Sequence, residues 1–182
     1  GGVAQAGGLH FRYIARTTRD GRSQLLQDHL KAVAGAAARS AGKIGAARAG
    51  EVLGLLHDFG KYSTDFQQYI RRKRPDPDTE EQTPVRGKVD HSTAGAQQVW
   101  RSLKHKGVSQ GIAGEILALC LASHHSGLID CVCPSGEQQL SRRIEKPDAD
   151  SHLSEAWKAA EPSLAASVQN LLDNSETWEG VV

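Results

Sequence analysis

Within Leu55-Leu56-His57-Asp58-Phe59-Gly60-Lys61 an imidazole stands beside a carboxylate, and an ammonium follows one turn later. An adjacent His and Asp can hold one metal ion each, or the two Asp oxygens can bridge a pair. Matching ligands lie elsewhere: His29 upstream, then His91 and the doublet His124-His125 downstream. Imidazole and carboxylate without thiolate suit Fe, Mn, Co, Ni or Zn rather than a structural Cys-rich zinc site. Two ions roughly 3.5–4 Å apart make water nucleophilic at neutral pH and offset charge in an in-line displacement at phosphorus. The residues therefore point to a hydrolase of phosphate esters that uses one or two divalent transition metal ions.

Context separates ligands from ordinary histidines. His57 and Asp58 close a strongly apolar helix, where an Asp without partners is costly. His124-His125 closes another apolar run, Ile116-Leu117-Ala118-Leu119-Cys120-Leu121-Ala122. His29, taken alone, suits a helix surface or a core, and His91, taken alone, suits the first turn of a helix. Asp90 reads as a helix N-cap or as a partner that orients an imidazole. Lys61 can ion-pair locally or meet a substrate phosphate as a point charge. Ser126-Gly127 reads equally as a turn or as a hydroxyl and close backbone at the mouth of a site. His10, His105 and His152 stand in polar contexts and are expected to face solvent. Arg71-Arg72-Lys73-Arg74 would suit a nucleic-acid backbone, though a solvated helix end is the commoner meaning. Cys131-Val132-Cys133 has no second Cys pair and is not read as a zinc site.

Helices must bring these residues together. Ser23 is placed to cap a first helix running to about Gly42, with Leu26, Leu30, Val33, Ala37 and Ile44 on its apolar stripe. Residues 10–19 read as a short extended or irregular lead-in. A buried second helix spans 47–58 and ends at Gly60. Ser63 or Thr64 caps a third through Arg72, with Phe66, Tyr69 and Ile70 inward. A fourth spans Ser92 to Leu103 and a fifth Gly111 to Ser123. Residues 126–150 look irregular, and a last helical pair covers Ser151–Ala160 and Ser163–Leu172. With no strand alternation, the expected fold is all-α: a helical bundle with a metal site in its core, in one domain over 1–182. Residues 73–89, rich in Pro and charge, are expected to be a mobile loop. The first nine residues, opening Gly1-Gly2, are expected to be disordered or a cloning remnant.

The chain's 182 residues, 38% hydrophobic and 24% charged, suit a soluble globular domain. A net charge of +1 provides no global field toward nucleic acid or membrane, so any polyanion binding must be local. No apolar run approaches the ~20 residues of a membrane span, and the N-terminus is no signal peptide. Three Cys with no disulfide framework favour a reducing, cytoplasmic setting.

Four segments together resemble a known family: Gln27-Asp28-His29-Leu30; His57-Asp58-Phe59-Gly60-Lys61 with Tyr62-Ser63-Thr64-Asp65-Phe66-Gln67; Asp90-His91-Ser92-Thr93-Ala94-Gly95-Ala96; and Ser123-His124-His125-Ser126-Gly127. His57-Asp58 is similar to the signature of HD phosphohydrolases. The set over 12–130 resembles the HD nuclease domain of the CRISPR-associated nuclease–helicase of type I systems. The resemblance implies an all-α HD domain that cuts single-stranded DNA, works with a helicase domain or subunit, and is recruited by a guide-RNA surveillance complex (Cascade). It implies that His29, His57 and Asp58 hold one metal, that Asp58 bridges to a second held by His91, His124 and His125, and that Lys61 lies near the phosphate. One departure stands out: the family closes the first site with a far-downstream Asp, and neither Asp148, Asp150 nor Asp173 suits that place. The chain is therefore expected to stop short of that Asp and to fill its second site better than its first. No helicase motif is present, so ATP hydrolysis is not expected.

The reading is a metal-dependent nuclease for single-stranded DNA, with Asp58 and Lys61 at the chemistry. The nine aromatics (three each of Phe, Trp and Tyr) form no stacking ladder, so strand capture should be weak and salt-sensitive. Two rivals remain at this level: a phosphohydrolase of small or cyclic nucleotides, and a non-catalytic docking domain with an incomplete metal site.

Overall fold

The computed structural model describes residues 12–18, 20–72, 89–125, 127–129, 131, 136–174, 178 and 181. These form a small antiparallel ribbon, β1 (Ile14–Thr17) and β2 (Ser23–Leu25), followed by nine α-helices. The helices are α1 (Leu26–Gly42), α2 (Ala47–Leu56), α3 (Thr64–Arg72), α4 (Thr93–Leu103), α5 (Val108–Ser123), α6 (Gln139–Ile144), α7 (Asp148–Ser151), α8 (Leu153–Ala159) and α9 (Pro162–Asp173). The helical bundle expected from the periodicity is present. The loop expected over 73–89 lies outside the described residues except for Val89, as do residues 1–9 and His10.

Helices α1 and α2 form an antiparallel pair that small residues allow to approach closely. A Cβ on Gly54 would stand 2.3 Å from Ala34 Cα, and one on Gly50 would stand 2.5 Å from the Ala37 carbonyl oxygen. Leu26, Leu30, Val52, Leu55 and Leu56 fill the core beside them. Helices α4 and α5 form a second pair, with Val99, Leu103, Leu117 and Leu121 buried. Helix α9 covers α2 with Leu164, Val168 and Leu172. Between α2 and α3 the chain makes a 3₁₀ turn, Phe59–Tyr62, which α8 covers: the Phe59 and Trp157 rings stand 5.4 Å apart, and the Tyr62 hydroxyl donates to the Glu161 carboxylate. His57 and Asp58 thus leave a buried helix and enter a braced turn.

Several expectations need correction. Ser23 caps no helix: it pairs with Thr17 in the ribbon, and α1 begins at Leu26, whose N–H donates to the Tyr13 carbonyl at 2.8 Å. Strands this short cannot display alternation, so the ribbon was invisible to it. Ile44 is 75% exposed, because α1 has ended and the chain turns at Gly45, φ 79°. Gly60 does not terminate α2, which stops at Leu56; it lies within the 3₁₀ turn, where its missing Cβ lets it touch His91. Residues 126–150 are not all irregular, since α6 and α7 lie there. Helix α5 starts three residues before the expected Gly111 and leaves Val108, Ile112 and Ile116 exposed along one face.

A buried amide ties the ribbon to the bundle. Gln67 is 1% exposed. Its Oε1 accepts the Ile14 N–H at 3.0 Å, and its Nε2 donates to the carbonyls of Ile14 at 3.0 Å and Lys61 at 2.8 Å. The ribbon's irregularity falls at Ala15, whose carbonyl is thereby free to accept the Lys61 ammonium at 3.3 Å. Gln67→Leu would strand three backbone groups. It is expected to cost about 2–4 kcal/mol in urea unfolding of the metal-free chain. A loss well under 1 kcal/mol would show that water replaces the amide.

Candidate metal centre

All six histidine and aspartate ligands expected from the sequence meet at one place. His29 comes from α1, His57 and Asp58 from the end of α2, His91 from the stretch before α4, and His124 and His125 from the end of α5. The two oxygens of Asp58 face different partners. Around Oδ2 stand His29 Nε2 at 3.0 Å and His57 Nε2 at 3.1 Å, themselves 3.1 Å apart. Around Oδ1 stand the Nε2 atoms of His91 at 3.4 Å, His124 at 3.5 Å and His125 at 3.7 Å. The two groups, His29-His57-Asp58 and Asp58-His91-His124-His125, share only Asp58.

The spacings of His29, His57 and His91 to Asp58 fit cations, while His124 at 3.5 Å and His125 at 3.7 Å stand slightly wider and the Nε2 atoms of His91 and His125 stand closer, at 2.7 Å. Ligands at about 2.1 Å from one ion stand roughly 3.0–3.4 Å from each other in octahedral and tetrahedral shells. Asp58 Oδ1 and His124 Nε2 are both buried without a hydrogen-bond partner. Orphaned buried polar atoms are expensive and rare unless a ligand completes them. The local fold also sets the tautomers. Nδ1 of His57 meets the Gly54 carbonyl at 2.8 Å, that of His91 meets Val89 at 3.0 Å, and that of His124 meets Leu121 at 2.7 Å. A carbonyl only accepts, so Nδ1 carries the proton and the Nε2 lone pair is left for the centre. For His57 and His124 the residue three before supplies that carbonyl, a consequence of the helical repeat.

Electrostatics agree. Burial favours neutral imidazole and lowers His29 and His91 below the usual histidine range. His125 falls to about 4, through burial first and then the adjoining His124 and His91. Cations bind neutral imidazole, so little proton competition remains at neutral pH. Burial alone would raise the Asp58 carboxyl, but the His124 and His57 side chains beside it, with the Lys61 charge, outweigh burial and hold the group far below the ordinary carboxylate range. Lys61 Nζ lies 2.7 Å from Asp58 Oδ2, so in this structure its local ion pair is formed.

Asp90 acts as the cap: its Oδ1 accepts the N–H groups of Ser92 at 3.2 Å and Thr93 at 3.1 Å. His105 is exposed as expected. His152 is not: its side chain is only 17% exposed, and its ring nitrogens stand 3.5 Å from both Asp65 and Glu155. The αL turn between α7 and α8, φ 57° at His152, folds it against α3. Asp148 accepts the Ser154 N–H at 2.8 Å and Asp173 pairs with Lys106 at 2.8 Å; neither, nor Asp150, belongs to a ligand group. Arg71 donates to the Arg12 carbonyl at 3.0 Å, while Lys73, Arg74, Ser126 and Cys133 lie outside the described residues. Sequence reasoning passed over Gln67, Gln97, Arg143 and Lys146, whose roles depend on contacts distant in the chain.

The helical scaffold and its shared carboxylate agree with a comparison of whole sequences. The family model described as "Cas3, HD domain" matches residues 14–181, well past the stretch 12–130 that carries the motifs. No curated protein matches the chain. No helix among the described residues is long and apolar enough to cross a membrane. A match over nearly the whole chain shows the family: this chain belongs to the Cas3 HD domains, the metal-dependent HD nuclease domains of CRISPR systems.

Proposed function

We propose that the domain hydrolyses phosphodiesters of single-stranded DNA during CRISPR interference, working in the cytoplasm with a helicase domain or subunit and a guide-RNA surveillance complex. The observation that carries this reading is the division of Asp58 between two ligand groups. His29, His57 and Asp58 would hold one ion, and Asp58, His91, His124 and His125 a second. Divalent ions bound there supply Lewis acidity that makes water nucleophilic near neutral pH and offsets charge on the phosphoryl oxygens. His57, His91 and His124 keep their Nε2 lone pairs aimed through backbone carbonyls. Lys61 neutralises Asp58 and, as its charge turns toward a bound strand, would donate to a phosphate oxygen.

Access favours a single strand. His125 is 50% exposed, whereas the side chains of the other ligands are 4–20% exposed. The centre is therefore open on the His125 side and recessed elsewhere. A flexible strand can bend a phosphate into such a recess, and a duplex cannot easily do so. The test is cleavage of circular single-stranded DNA, circular duplex DNA and cyclic dinucleotides, with Mn, Co, Ni, Zn or Mg added separately. Cleavage of the single-stranded circle with a transition metal is expected. Turnover of the dinucleotides with both circles intact would replace the proposal with a small-nucleotide hydrolase.

A further inference from the structure

His91 lies on the short stretch before α4, with no helix of its own to hold it. The HD turn grips this stretch once: the Gly60 N–H donates to the His91 carbonyl at 3.1 Å, and a Cβ on Gly60 would stand 2.6 Å from His91 Cα. The end of α6 grips it twice more, at the two residues flanking His91. Lys146 Nζ donates to Asp90 Oδ2 at 2.5 Å, and Arg143 Nη1 donates to Ser92 Oγ at 2.9 Å. The backbone that carries the two cations is held in turn by Gln97 of α4, which is fully buried. Its Nε2 reaches the carbonyls of Arg143 at 3.4 Å, Ile144 at 3.0 Å and Lys146 at 2.8 Å. Its Oε1 has no partner, so this amide is committed to the α6 end at a desolvation cost. Helix α4, the α6 end and the His91 stretch thus close a ring of contacts.

We propose that Lys146 is a positioning residue for the second ligand group. Through Asp90 it fixes the stretch that carries His91, and so sets the affinity of the Asp58-His91-His124-His125 position without touching ion or substrate. The inference rests on the reading of His91 as a ligand. Asp90 suits the role, because the same carboxylate caps α4 through Ser92 and Thr93 and holds Lys146. Losing the ion pair leaves the cap but frees the stretch to move sideways. A coordination shell tolerates displacements of only a few tenths of an ångström, so a loosened support is felt as lost affinity.

The experiment titrates the metal-stripped chain with Co(II), whose visible absorption reports the coordination of each position filled, and measures KM and kcat on circular single-stranded DNA. His29→Ala and His91→Ala mark which step belongs to which group. Lys146→Met is expected to weaken about 10–100-fold the step that His91→Ala removes, and to leave the other within about twofold. KM for DNA should stay unchanged and kcat should return toward wild type as Co(II) is raised, since mass action refills the site. Lys146→Arg should restore most of the lost affinity. Asp90→Asn, which keeps an acceptor for the cap, should repeat the selective loss even if Lys146→Met folds poorly. Unchanged titrations in both Lys146→Met and Asp90→Asn, a raised KM with an unchanged titration, or equal weakening of both steps would each overturn the role assigned to Lys146. A His91→Ala chain that keeps both steps would instead overturn the ligand reading itself.

Discussion

Asp58→Ala is expected to abolish metal-dependent DNA cleavage and to remove both metal positions at once, the largest functional loss available to a single substitution here. The reason is geometric. Oδ2 of Asp58 completes the group with His29 and His57, and Oδ1 completes the group with His91, His124 and His125. Removing an outer histidine takes one ligand from one group. Removing Asp58 takes from each group its one carboxylate among the described residues, leaving imidazoles alone to face a dication. If the ions contribute several kcal/mol to the transition state, the rate should fall by roughly a thousandfold or more. The measurement is bound metal per chain after dialysis, beside the cleavage rate, for Asp58→Ala, Asp58→Asn, His29→Ala and His125→Ala. Both Asp58 variants should retain no tightly bound metal, and each histidine variant should lose affinity at one position only. A full equivalent of metal on Asp58→Ala would show that the two groups do not share the carboxylate.

This site was legible in the sequence to an unusual extent because its residues sit where apolar helices end. His57-Asp58 and His124-His125 follow strongly apolar runs with buried inner faces, and a charge or imidazole buried without purpose is penalised enough to stand out. His29 and His91 gained meaning only together with the others, since each alone fits an ordinary helix position. The long helices α1, α2, α4 and α5 announced themselves through their apolar runs and period, for their apolar faces must meet. The ribbon and α6 did not. A three-residue strand and a six-residue helix carry too few positions for any period, and their stability comes from partners far away: Gln67 for the ribbon, Gln97 for α6. Gly60 misled for a related reason. A glycine placed after a helix reads as a terminator, whereas here it makes room for the His91 backbone. What local pattern cannot display is the reason for a residue that serves another chain segment, and the supports of the metal centre are of that kind.

Gly95→Ala is expected to be strongly damaging for so small a substitution, and to act on the site from outside it. Gly95 lies on the first turns of α4, against the end of α2. A Cβ there would stand 2.1 Å from the Leu56 carbonyl oxygen and 3.0 Å from its carbon. Neither is the tip of a flexible side chain, so α4 and α2 must part by about 1 Å to reach ordinary contact. Alanine's better helix propensity returns only about 1 kcal/mol. Overpacking costs about 1–3 kcal/mol and sometimes more, so a net loss of stability is expected. Leu56 immediately precedes His57, and α4 begins just after His91, so the same displacement separates the ligands of the two groups. Metal affinity should fall together with stability. Gly35→Ala provides the contrast, because the new Cβ would meet only the tip of Arg39 at 3.4 Å. There the propensity gain stands nearly alone, and a small stabilisation, up to ~1 kcal/mol, is expected. Urea unfolding of both metal-free variants, followed by Co(II) titration, separates the cases. Equal stability and equal metal affinity for Gly95→Ala and the wild type would mean that the α2–α4 contact is not what sets the spacing of the centre.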